Sequence, residues 1–190
     1  IGYKGCDVSH YVVTIGKDGM IENELARGTI LVKKKDSLDD EKVLSGVPFN
    51  ISSKEDMSEI IETVETNDKG IAAFHDLELG VYFIQEAEQV DGYVLNDHIY
   101  QVELTADEEE LTIICENQPI EMLFSKQDSA TNKELPDAWI MLTDKETGTV
   151  IDEWISSDTP HVVRYLVEGK EYIMTEKSAP EGYEIAESIE

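Results

Sequence analysis

The sequence predicts an all-β protein built from tandem antiparallel β-sandwich domains. The apolar residues fall in short alternating segments, such as "VYFI" and "LTIIC", and none approaches the roughly 18 residues of a membrane-spanning helix. Turn residues separate the segments, as in "NDKG" before "IAAF" and "DKETG" before "TVIDEW". The whole pattern also occurs twice. Short strands with regular turns are typical of a β-sandwich and not of a βαβ fold.

A repeat sets the domain organisation. The segments "GTILVKKKD" and "GVYFIQEAEQVDGY" recur in outline as "EMLFSKQD" and "GKEYIMTEKSAPEGY". Both copies contain Lys-x-Asp, then an apolar strand that ends in Glu, then Gly-Tyr. Because a recurring segment of this length marks a structural unit, we predict a complete domain at 28–119 and a second at 120–190 that lacks its last strand or strands.

The first residues resemble the end of a repeat. The segment "HYVVTIGKDGMIEN" (10–23) aligns with "HIYQVELTADEEELTIICEN" (98–117), so residues 1–27 are predicted to be the closing strands of a preceding repeat. The last residues, "EGYEIAESIE", stop where such closing strands should begin. We therefore interpret the chain as a piece of a longer polypeptide that holds a tail, one whole repeat and one incomplete repeat.

One segment is compatible with a helix. In residues 53–65, Met57, Ile60, Ile61 and Val64 recur at helical spacing, after a serine that could cap the first turn. The alternation in "IIETVET" equally indicates a strand. We expect a short helix at about 53–65, with the strand as the alternative.

The charge balance excludes two classes of partner. Lys and Arg number 15 against 42 Asp and Glu, so the formal net charge is −27 at pH 7. A strongly acidic chain is repelled by nucleic acid and by an anionic membrane surface. We expect neither a nucleic-acid partner nor direct membrane insertion.

No residue pattern predicts a metal or a cofactor. The acidic runs at 36–41 and 105–111 lack the spacing of an EF-hand loop and are expected to be solvated. The four histidines lack the spacing of a zinc site.

The cysteines and tryptophans are interpreted as structural residues. Cys6 and Cys115 form no CxxC pair, and a bridge between them has no support in the sequence. Cys6 has no partner motif for an internal thioester, and Cys115 is expected to pack as a small apolar residue. Trp139 and Trp154 are predicted core anchors, although the segment around Trp154 could also expose that ring.

Three predicted strands of the first repeat end in an inward polar residue. Under period-2 alternation the last inward residue of each strand is polar, in the series Ile30, Val32, Lys34; Tyr82, Ile84, Glu86; and Ile113, Cys115, Asn117. Burying a free ammonium or carboxylate costs several kcal/mol, so these groups need a compensating interaction. An ordinary ion pair between Lys34 and Glu86 at the rim of the sandwich is one solution.

These segments resemble a known family. "GTILVKKKD", "FHDLELGVYFIQEAEQVDGY" and "IICENQP" are similar to the Cna B-type domain, also called SpaA-like or prealbumin-like, of Gram-positive surface proteins and pilins. The resemblance implies an immunoglobulin-like or transthyretin-like sandwich. It also implies a spontaneous isopeptide bond between Lys34 on the first strand and Asn117 on the last, promoted by Glu86.

The implied reaction has a physical basis. Burial favours the uncharged forms of an amine and a carboxylic acid, so a buried lysine can act as a nucleophile. The amine then attacks the amide carbonyl of the asparagine, while the acid polarises that carbonyl and transfers protons as ammonia leaves. Lys33 and Lys35 flank Lys34, but a shift of one residue would turn them to the other face of the strand, so Lys34 is preferred.

The second repeat carries part of the same pattern. Lys126 corresponds to Lys34 and Glu176 to Glu86, whereas the corresponding asparagine would lie beyond residue 190. Asn23 corresponds to Asn117 and is interpreted as the asparagine of the preceding repeat. Lys126 and Asn23 are therefore candidate crosslink halves. The segment "EAEQVDGY" of the first repeat departs from the family pattern at Val90, where the segment "EKSAPEGY" of the second repeat has Pro180.

The resemblance implies a structural protein and not an enzyme, apart from a single-turnover crosslinking step. We expect a stalk or shaft of an extracellular adhesin or pilin-like protein, anchored to the cell wall or part of a pilus, whose partners are neighbouring repeats. Two alternatives remain. One is an adhesive module that binds a host protein or glycan through its loops or an edge strand. The other is an ancillary domain of an extracellular enzyme.

Overall fold

The computed structural model describes residues 25–186, which form two compact units. The first unit comprises 25–90 and Leu95–Gln118, and the second comprises Asp91–Val94 and 119–186. All regular structure in the described residues is β-strand, which confirms the all-β fold class. No helix between residues 25 and 186 is long and apolar enough to cross a membrane.

The first unit contains seven strands in two sheets. One sheet has the order β4-β1-β7 and the other β3-β2-β5-β6. The strands are β1 (Arg27–Asp36), β2 (Pro48–Ser52), β3 (Ile60–Glu65), β4 (Ile71–Glu78), β5 (Gly80–Glu86), β6 (Tyr100–Leu104) and β7 (Glu110–Asn117).

The first and last strands of this unit are neighbours. β1 pairs antiparallel with β4 on one side and parallel with β7 on the other, while the pairs of the other sheet are antiparallel. The inward side chains of both sheets alternate with outward ones and form the core of the sandwich. Apolar core residues of this unit with at most 1% exposure are Ile30, Val32, Val47, Phe49, Ile51, Ala72, Phe74, Ile84, Leu104 and Cys115.

The second unit contains five strands, in the orders β10-β9-β12 and β11-β8. They are β8 (Glu121–Phe124), β9 (Trp139–Asp144), β10 (Val150–Ile155), β11 (His161–Arg164) and β12 (Tyr172–Ser178). Trp154 is a core residue, as expected. The core prediction is wrong for Trp139, which is 41% exposed. Trp139 is the first residue of β9, and its side chain lies on the outward face of that strand. The core consists of Ala138, Ile140, Leu142, Trp154, Val163 and Leu166, with Phe124, Tyr172 and Met174 packed against it.

The helix expected at 53–65 is wrong, and the alternative strand is present. Ile60–Glu65 forms β3, which pairs with β2. The preceding residues form a loop in which Ser52 Oγ accepts a hydrogen bond from Lys54 N and donates one to Glu59 O. Pairing with β2 satisfies the backbone of this segment, so its weak helical periodicity has no effect.

Candidate functional site

The candidate site lies where three strands of the first unit end. Lys34 lies near the end of β1, and Glu86 and Asn117 are the last residues of β5 and β7. Each follows two inward residues on its strand, so alternation turns it inward as well. Lys34, Glu86 and Asn117 are 0%, 4% and 1% exposed. The three predicted site residues therefore lie together inside the sandwich.

Strand register brings the lysine and the asparagine to the same place. In the parallel β1–β7 pair, Lys34 is opposite Cys115 and Asp36 is opposite Asn117. The backbone around Lys34 is also held closely from the other side, because Lys34 N donates to Gly70 O at 2.7 Å. Gly70 has a φ of 70°, and a Cβ there would lie 2.5 Å from the carbonyl oxygen of Lys34. Only glycine fits this turn without strain.

The three side chains form a closed triangle of hydrogen bonds. Lys34 Nζ donates to Glu86 Oε2 at 2.7 Å and also to Asn117 Oδ1. Asn117 Nδ2 donates to Glu86 Oε1 at 2.8 Å. The carboxylate of Glu86 therefore contacts the amine with one oxygen and the amide nitrogen with the other. This arrangement satisfies a lysine and a glutamate that would otherwise be costly to bury.

A second layer of residues surrounds the amine. Lys34 Nζ donates to Cys115 Sγ at 3.2 Å and lies 5.9 Å from the centre of the Phe49 ring. Asn96 Nδ2 donates to Glu116 O at 2.9 Å and to Tyr100 Oη at 3.3 Å, and it lies 3.5 Å from Cys115 Sγ. Cys115 is thus a contact of the amine as well as a packed residue.

Tyr100 belongs to the same layer. Burial raises the pKa of its hydroxyl, and a hydrogen bond with Cys115 and the nearby charge of Glu86 act in the same direction. Asn96 and Tyr100 are not among the predicted site residues, since neither is the polar residue that ends an alternating apolar series. The alternation of β6 could have identified Tyr100, whereas no pattern marks Asn96, which lies in a loop.

The flanking lysines lie outside the triangle. Lys33 is exposed. Lys35 forms ion pairs with Asp40 at 2.5 Å and Glu116 at 2.9 Å, and its hydrogen bonds with these two carboxylates raise the pKa of its amine to about 12. The structure therefore turns Lys34, and neither neighbour, into the core.

The second unit brings two of the predicted residues together. Lys126 Nζ lies 3.2 Å from Glu176 Oε2, and the Lys126 and Glu176 side chains are 19% and 5% exposed. Glu176 Oε2 also accepts a hydrogen bond from Ala186 N at 2.5 Å. Glu176 Oε1 is buried and has no hydrogen-bond partner within residues 25–186. Asn23, the other candidate crosslink half, lies outside the described residues.

The side chains that could bind a metal do not cluster in the described part of the chain. Between residues 25 and 186, no group of three or more His, Cys, Asp or Glu side chains is placed to hold an ion. In the acidic run at 36–41, Asp36 Oδ1 accepts a hydrogen bond from Leu38 N, and Asp39 Oδ1 accepts one from Glu41 N. Cys115 is a free, buried thiol, whereas Cys6 lies outside the described residues.

Comparison with protein families gives a match to both repeats. A family model described as "SpaA: Prealbumin-like fold domain" matches residues 28–119 and again 121–190. Comparison with curated protein sequences gives no match.

Solved structures with a similar fold were also found. The Bacillus anthracis TIE protein is 26% identical, with a TM-score of 0.65 over 88% of this chain and 32% of its own. A streptococcal ancillary pilin is 23% identical, with a TM-score of 0.43 over 86% of this chain and 57% of its own. A C-terminal fragment of the pilus adhesin SpaC from Lactobacillus rhamnosus GG is 20% identical, with a TM-score of 0.44. The match covers 85% of this chain and 78% of the SpaC fragment. The chain thus spans about a third of the length of the TIE protein and about half that of the streptococcal pilin.

Proposed function

The chain belongs to the SpaA family of prealbumin-like fold domains, and from this premise we propose that its first unit forms an intramolecular isopeptide bond between Lys34 and Asn117. The bonded domain would serve as a segment of the stalk or shaft of a Gram-positive cell-surface protein. The observation that carries the proposal is the Glu86 carboxylate, which bridges the amine of Lys34 and the amide nitrogen of Asn117.

This bridge suits both proton transfers of the reaction. Glu86 Oε2 is 2.7 Å from Lys34 Nζ and can take a proton from it, which leaves a neutral amine. The amine attacks Cγ of Asn117, so that a new N–C bond forms while the C–Nδ2 bond breaks. Glu86 Oε1 is 2.8 Å from Nδ2, where the carboxylic acid can return a proton to the departing nitrogen. The products are an isopeptide bond and one molecule of ammonia.

The reaction needs no cofactor, because the fold supplies the required proximity. The amine and the amide are on neighbouring strands, and both are held in a site closed to solvent. Orienting two groups in this way replaces an encounter in solution and removes a large part of the activation barrier. Each domain would react once, so the chain is proposed to have no turnover and no substrate of its own.

The position of the bond explains its mechanical value. It would join β1 to β7, so a force applied to the two ends of the unit would pass from Lys34 directly to Asn117. The chain between them, which includes β2–β6, would not be stretched. This property suits a stalk whose partners are neighbouring repeats. Family membership supports an extracellular location, either anchored to the cell wall or within a pilus.

Intact-protein mass spectrometry of the full chain tests the proposal. Loss of one ammonia should lower the measured mass by about 17 Da relative to the sequence. Tryptic digestion should also yield a branched peptide that joins the Lys34 and Asn117 segments. Lys34→Met, which keeps an unbranched apolar side chain but removes the terminal amine, is the control, and its measured mass should equal the mass of its own sequence. A wild-type mass equal to the sequence, together with separate Lys34 and Asn117 peptides, would overturn the proposal.

A further inference from the structure

We propose that Tyr100 and Asn96 are positioning residues for the crosslink between Lys34 and Asn117, and that they act through the thiol of Cys115. The inference rests on the proposed function, because it concerns the same reaction. It adds two residues that change no bond themselves but hold the amine and the amide where they can react.

The amine of Lys34 is oriented by three acceptors. Nζ donates to Glu86 Oε2 at 2.7 Å, to Asn117 Oδ1 and to Cys115 Sγ at 3.2 Å. Glu86 takes a proton during the proposed reaction, and the amide of Asn117 is the group under attack. Cys115 Sγ is thus the acceptor among the three that takes part in no bond change. It can hold one N–H of the amine in a constant direction while Nζ approaches the amide carbon.

The thiol depends on its neighbours for its own position. Cys115 is completely buried on β7, opposite Lys34 in the parallel strand pair. Sulfur is a weak acceptor and the side chain can rotate about its Cα–Cβ bond, so surrounding groups decide where Sγ lies. Tyr100 forms a hydrogen bond with Cys115, and Asn96 Nδ2 lies 3.5 Å from Sγ. Two polar side chains besides that of Lys34 therefore contact the sulfur.

The hydrogen bonds run in one direction, from Asn96 to the sulfur. Asn96 Nδ2 donates to Tyr100 Oη at 3.3 Å, so the hydroxyl hydrogen of Tyr100 can turn to Cys115 Sγ. Burial raises the pKa of this hydroxyl, and the hydrogen bond with Cys115 adds to the effect, so the phenol keeps its proton. An edge-to-face contact with His98, with 4.5 Å between the ring centres, holds the ring of Tyr100. Tyr100 is therefore a fixed donor beside the sulfur.

The segment that contains Asn96 also connects the two sheets where the reactive side chains lie. Asn96 Nδ2 donates at 2.9 Å to the carbonyl oxygen of Glu116, which precedes the reactive asparagine. Gln85 Nε2, from the residue before the reactive acid, donates to Asp97 O at 2.9 Å. Because β5 and β7 belong to different sheets, residues 96–97 join the two strand ends that carry the acid and the amide.

An asparagine suits this position because its amide supplies both donors and an acceptor. Asn96 Oδ1 accepts a hydrogen bond from His98 N at 3.1 Å, which closes the local turn. The Nδ2 group of the same side chain then bonds Glu116 O and Tyr100 Oη. An aspartate would keep the acceptor and lose both donors. The turn and the contacts with β7 and Tyr100 are therefore made by one side chain.

The two residues are expected to affect the reaction more than the stability of the fold. Asn96 and Tyr100 are half-buried, whereas the core is formed by fully buried apolar side chains. Loss of one hydrogen bond at a half-buried site changes stability little. A displacement of about 1 Å between reacting groups can slow a reaction by about 100-fold.

A double-mutant cycle on the crosslinking rate tests the proposal. The full chain is made by cell-free translation, and the loss of about 17 Da is followed over time by mass spectrometry. Tyr100→Phe, which removes only the hydroxyl, should slow crosslinking about three- to tenfold. Asn96→Ala should slow it by about tenfold or more, because it also releases β7. In a Cys115→Val background, Tyr100→Phe should change the rate by less than about twofold, since the sulfur through which it acts is absent.

Two controls separate positioning from folding. Thr63→Val removes the hydrogen bond from Thr63 Oγ1 to Asn50 Oδ1 at 2.6 Å, which involves none of the site residues, and should react at the wild-type rate. In a Lys34→Met background, which cannot crosslink, Tyr100→Phe and Asn96→Ala should each lower the Tm of the first unit by about 5 °C or less. Slower crosslinking that is accompanied by a larger fall in this Tm would assign the residues to folding and overturn the inference.

The outcomes distinguish this inference from the proposed function. If the wild type loses ammonia while either single variant reacts at the same rate, the inference is wrong and the proposed function stands. Equal slowing by Tyr100→Phe with and without the thiol of Cys115 would show that Tyr100 does not act through the sulfur, and would also overturn the inference. A wild-type chain that keeps its sequence mass would contradict the proposed function itself, and the inference with it.

Discussion

Glu86 and Glu176 occupy equivalent positions in two copies of one motif, yet their surroundings differ. Glu86 bridges a lysine and an asparagine, and all three residues are at most 4% exposed. Glu176 contacts a lysine whose side chain is 19% exposed, and one of its oxygens has no partner in the described residues. The equivalent lysine–glutamate pairs therefore lie in a closed site in the first unit and in a more open one in the second.

The difference shows what the last strand contributes. β7 supplies the amide of Asn117, the sulfur that contacts Lys34 and a parallel neighbour for β1. The described part of the second unit has no equivalent strand, and the apolar face of β8 is partly exposed there. Burial of Lys34 thus depends on the complete sandwich and not on the lysine motif alone.

Among the changes that test this difference between the units, removing the proposed crosslink should have the largest effect on stability. Lys34→Met should lower the stability of the first unit by about 4–5 kcal/mol, because a crosslink between two residues that are 83 positions apart restricts the unfolded chain by about that amount. The corresponding fall in Tm is about 15 to 30 °C for a domain of this size. Differential scanning calorimetry should show the shift in one transition and not in the other.

Lys126→Met is the matched control in the second unit. Its Tm should change by only a few degrees, because the ion pair that Lys126 forms with Glu176 is partly solvated. Equal shifts for the two substitutions would contradict the proposed difference between the units.

Removing the carboxylic acid should slow the reaction without preventing folding. Glu86→Gln keeps the shape of the side chain but cannot transfer a proton, so the rate of crosslinking should fall by about 10²- to 10⁴-fold. The loss of about 17 Da can be followed in time by mass spectrometry after refolding. Glu176→Gln should leave this rate unchanged. Normal crosslinking in Glu86→Gln would mean that the role assigned to Glu86 is wrong.

The thiol of Cys115 should have a smaller effect on the same rate. Cys115 Sγ accepts a hydrogen bond from Lys34 Nζ at 3.2 Å and so orients the amine beside the amide. Cys115→Val should slow crosslinking by up to about tenfold, as expected for loss of one hydrogen bond. Cys115→Ser retains an acceptor and should react faster than Cys115→Val. If both variants react at the wild-type rate, Cys115 acts only in packing.

The smallest predicted effect concerns acid stability of the second unit. A hydrogen bond from the backbone N–H of Thr147 is the main cause that lowers the pKa of Asp144, and Glu146 N also donates to this carboxylate. A lowered pKa in the folded state stabilises the protein above the ordinary value of about 4. This contribution is lost as the pH falls through the folded-state pKa.

Asp144→Asn tests this effect. It should lower the Tm of the second unit at pH 7, and its difference from wild type should shrink as the pH is reduced from 4 to about 2. Thermal unfolding followed by circular dichroism across this range measures the change. A difference that stays constant with pH would show that the charge of Asp144 does not contribute.

Much of the fold and of the site could be predicted because the informative patterns are local. Period-2 alternation indicates an all-β chain and turns Lys34, Glu86 and Asn117 to the inner face of their strands. It also distinguishes Lys34 from its neighbours, since adjacent residues of a strand face opposite sides. These conclusions require only the backbone geometry of a strand and the cost of burying a charge.

The segment at 53–65 shows where local patterns become ambiguous. Its apolar residues fit both a helical and an alternating period, so its own residues do not decide between them. Hydrogen bonds from β2, a separate strand, select the extended form. Trp139 is similar, because its exposure depends on the phase in which β9 enters the sheet.

The sequence by itself determined the fold class, the repeat and the three residue types of the candidate site, because each of these follows from the order of neighbouring residues. Only the tertiary structure decided that β1 and β7 are parallel neighbours, that Cys115 contacts the amine and that Tyr100 and Asn96 lie behind it. It also decided that Glu176 Oε1 is buried without a donor in residues 25–186. These facts depend on which distant strands pair and in what register, and that choice is made by the packing of the whole sandwich.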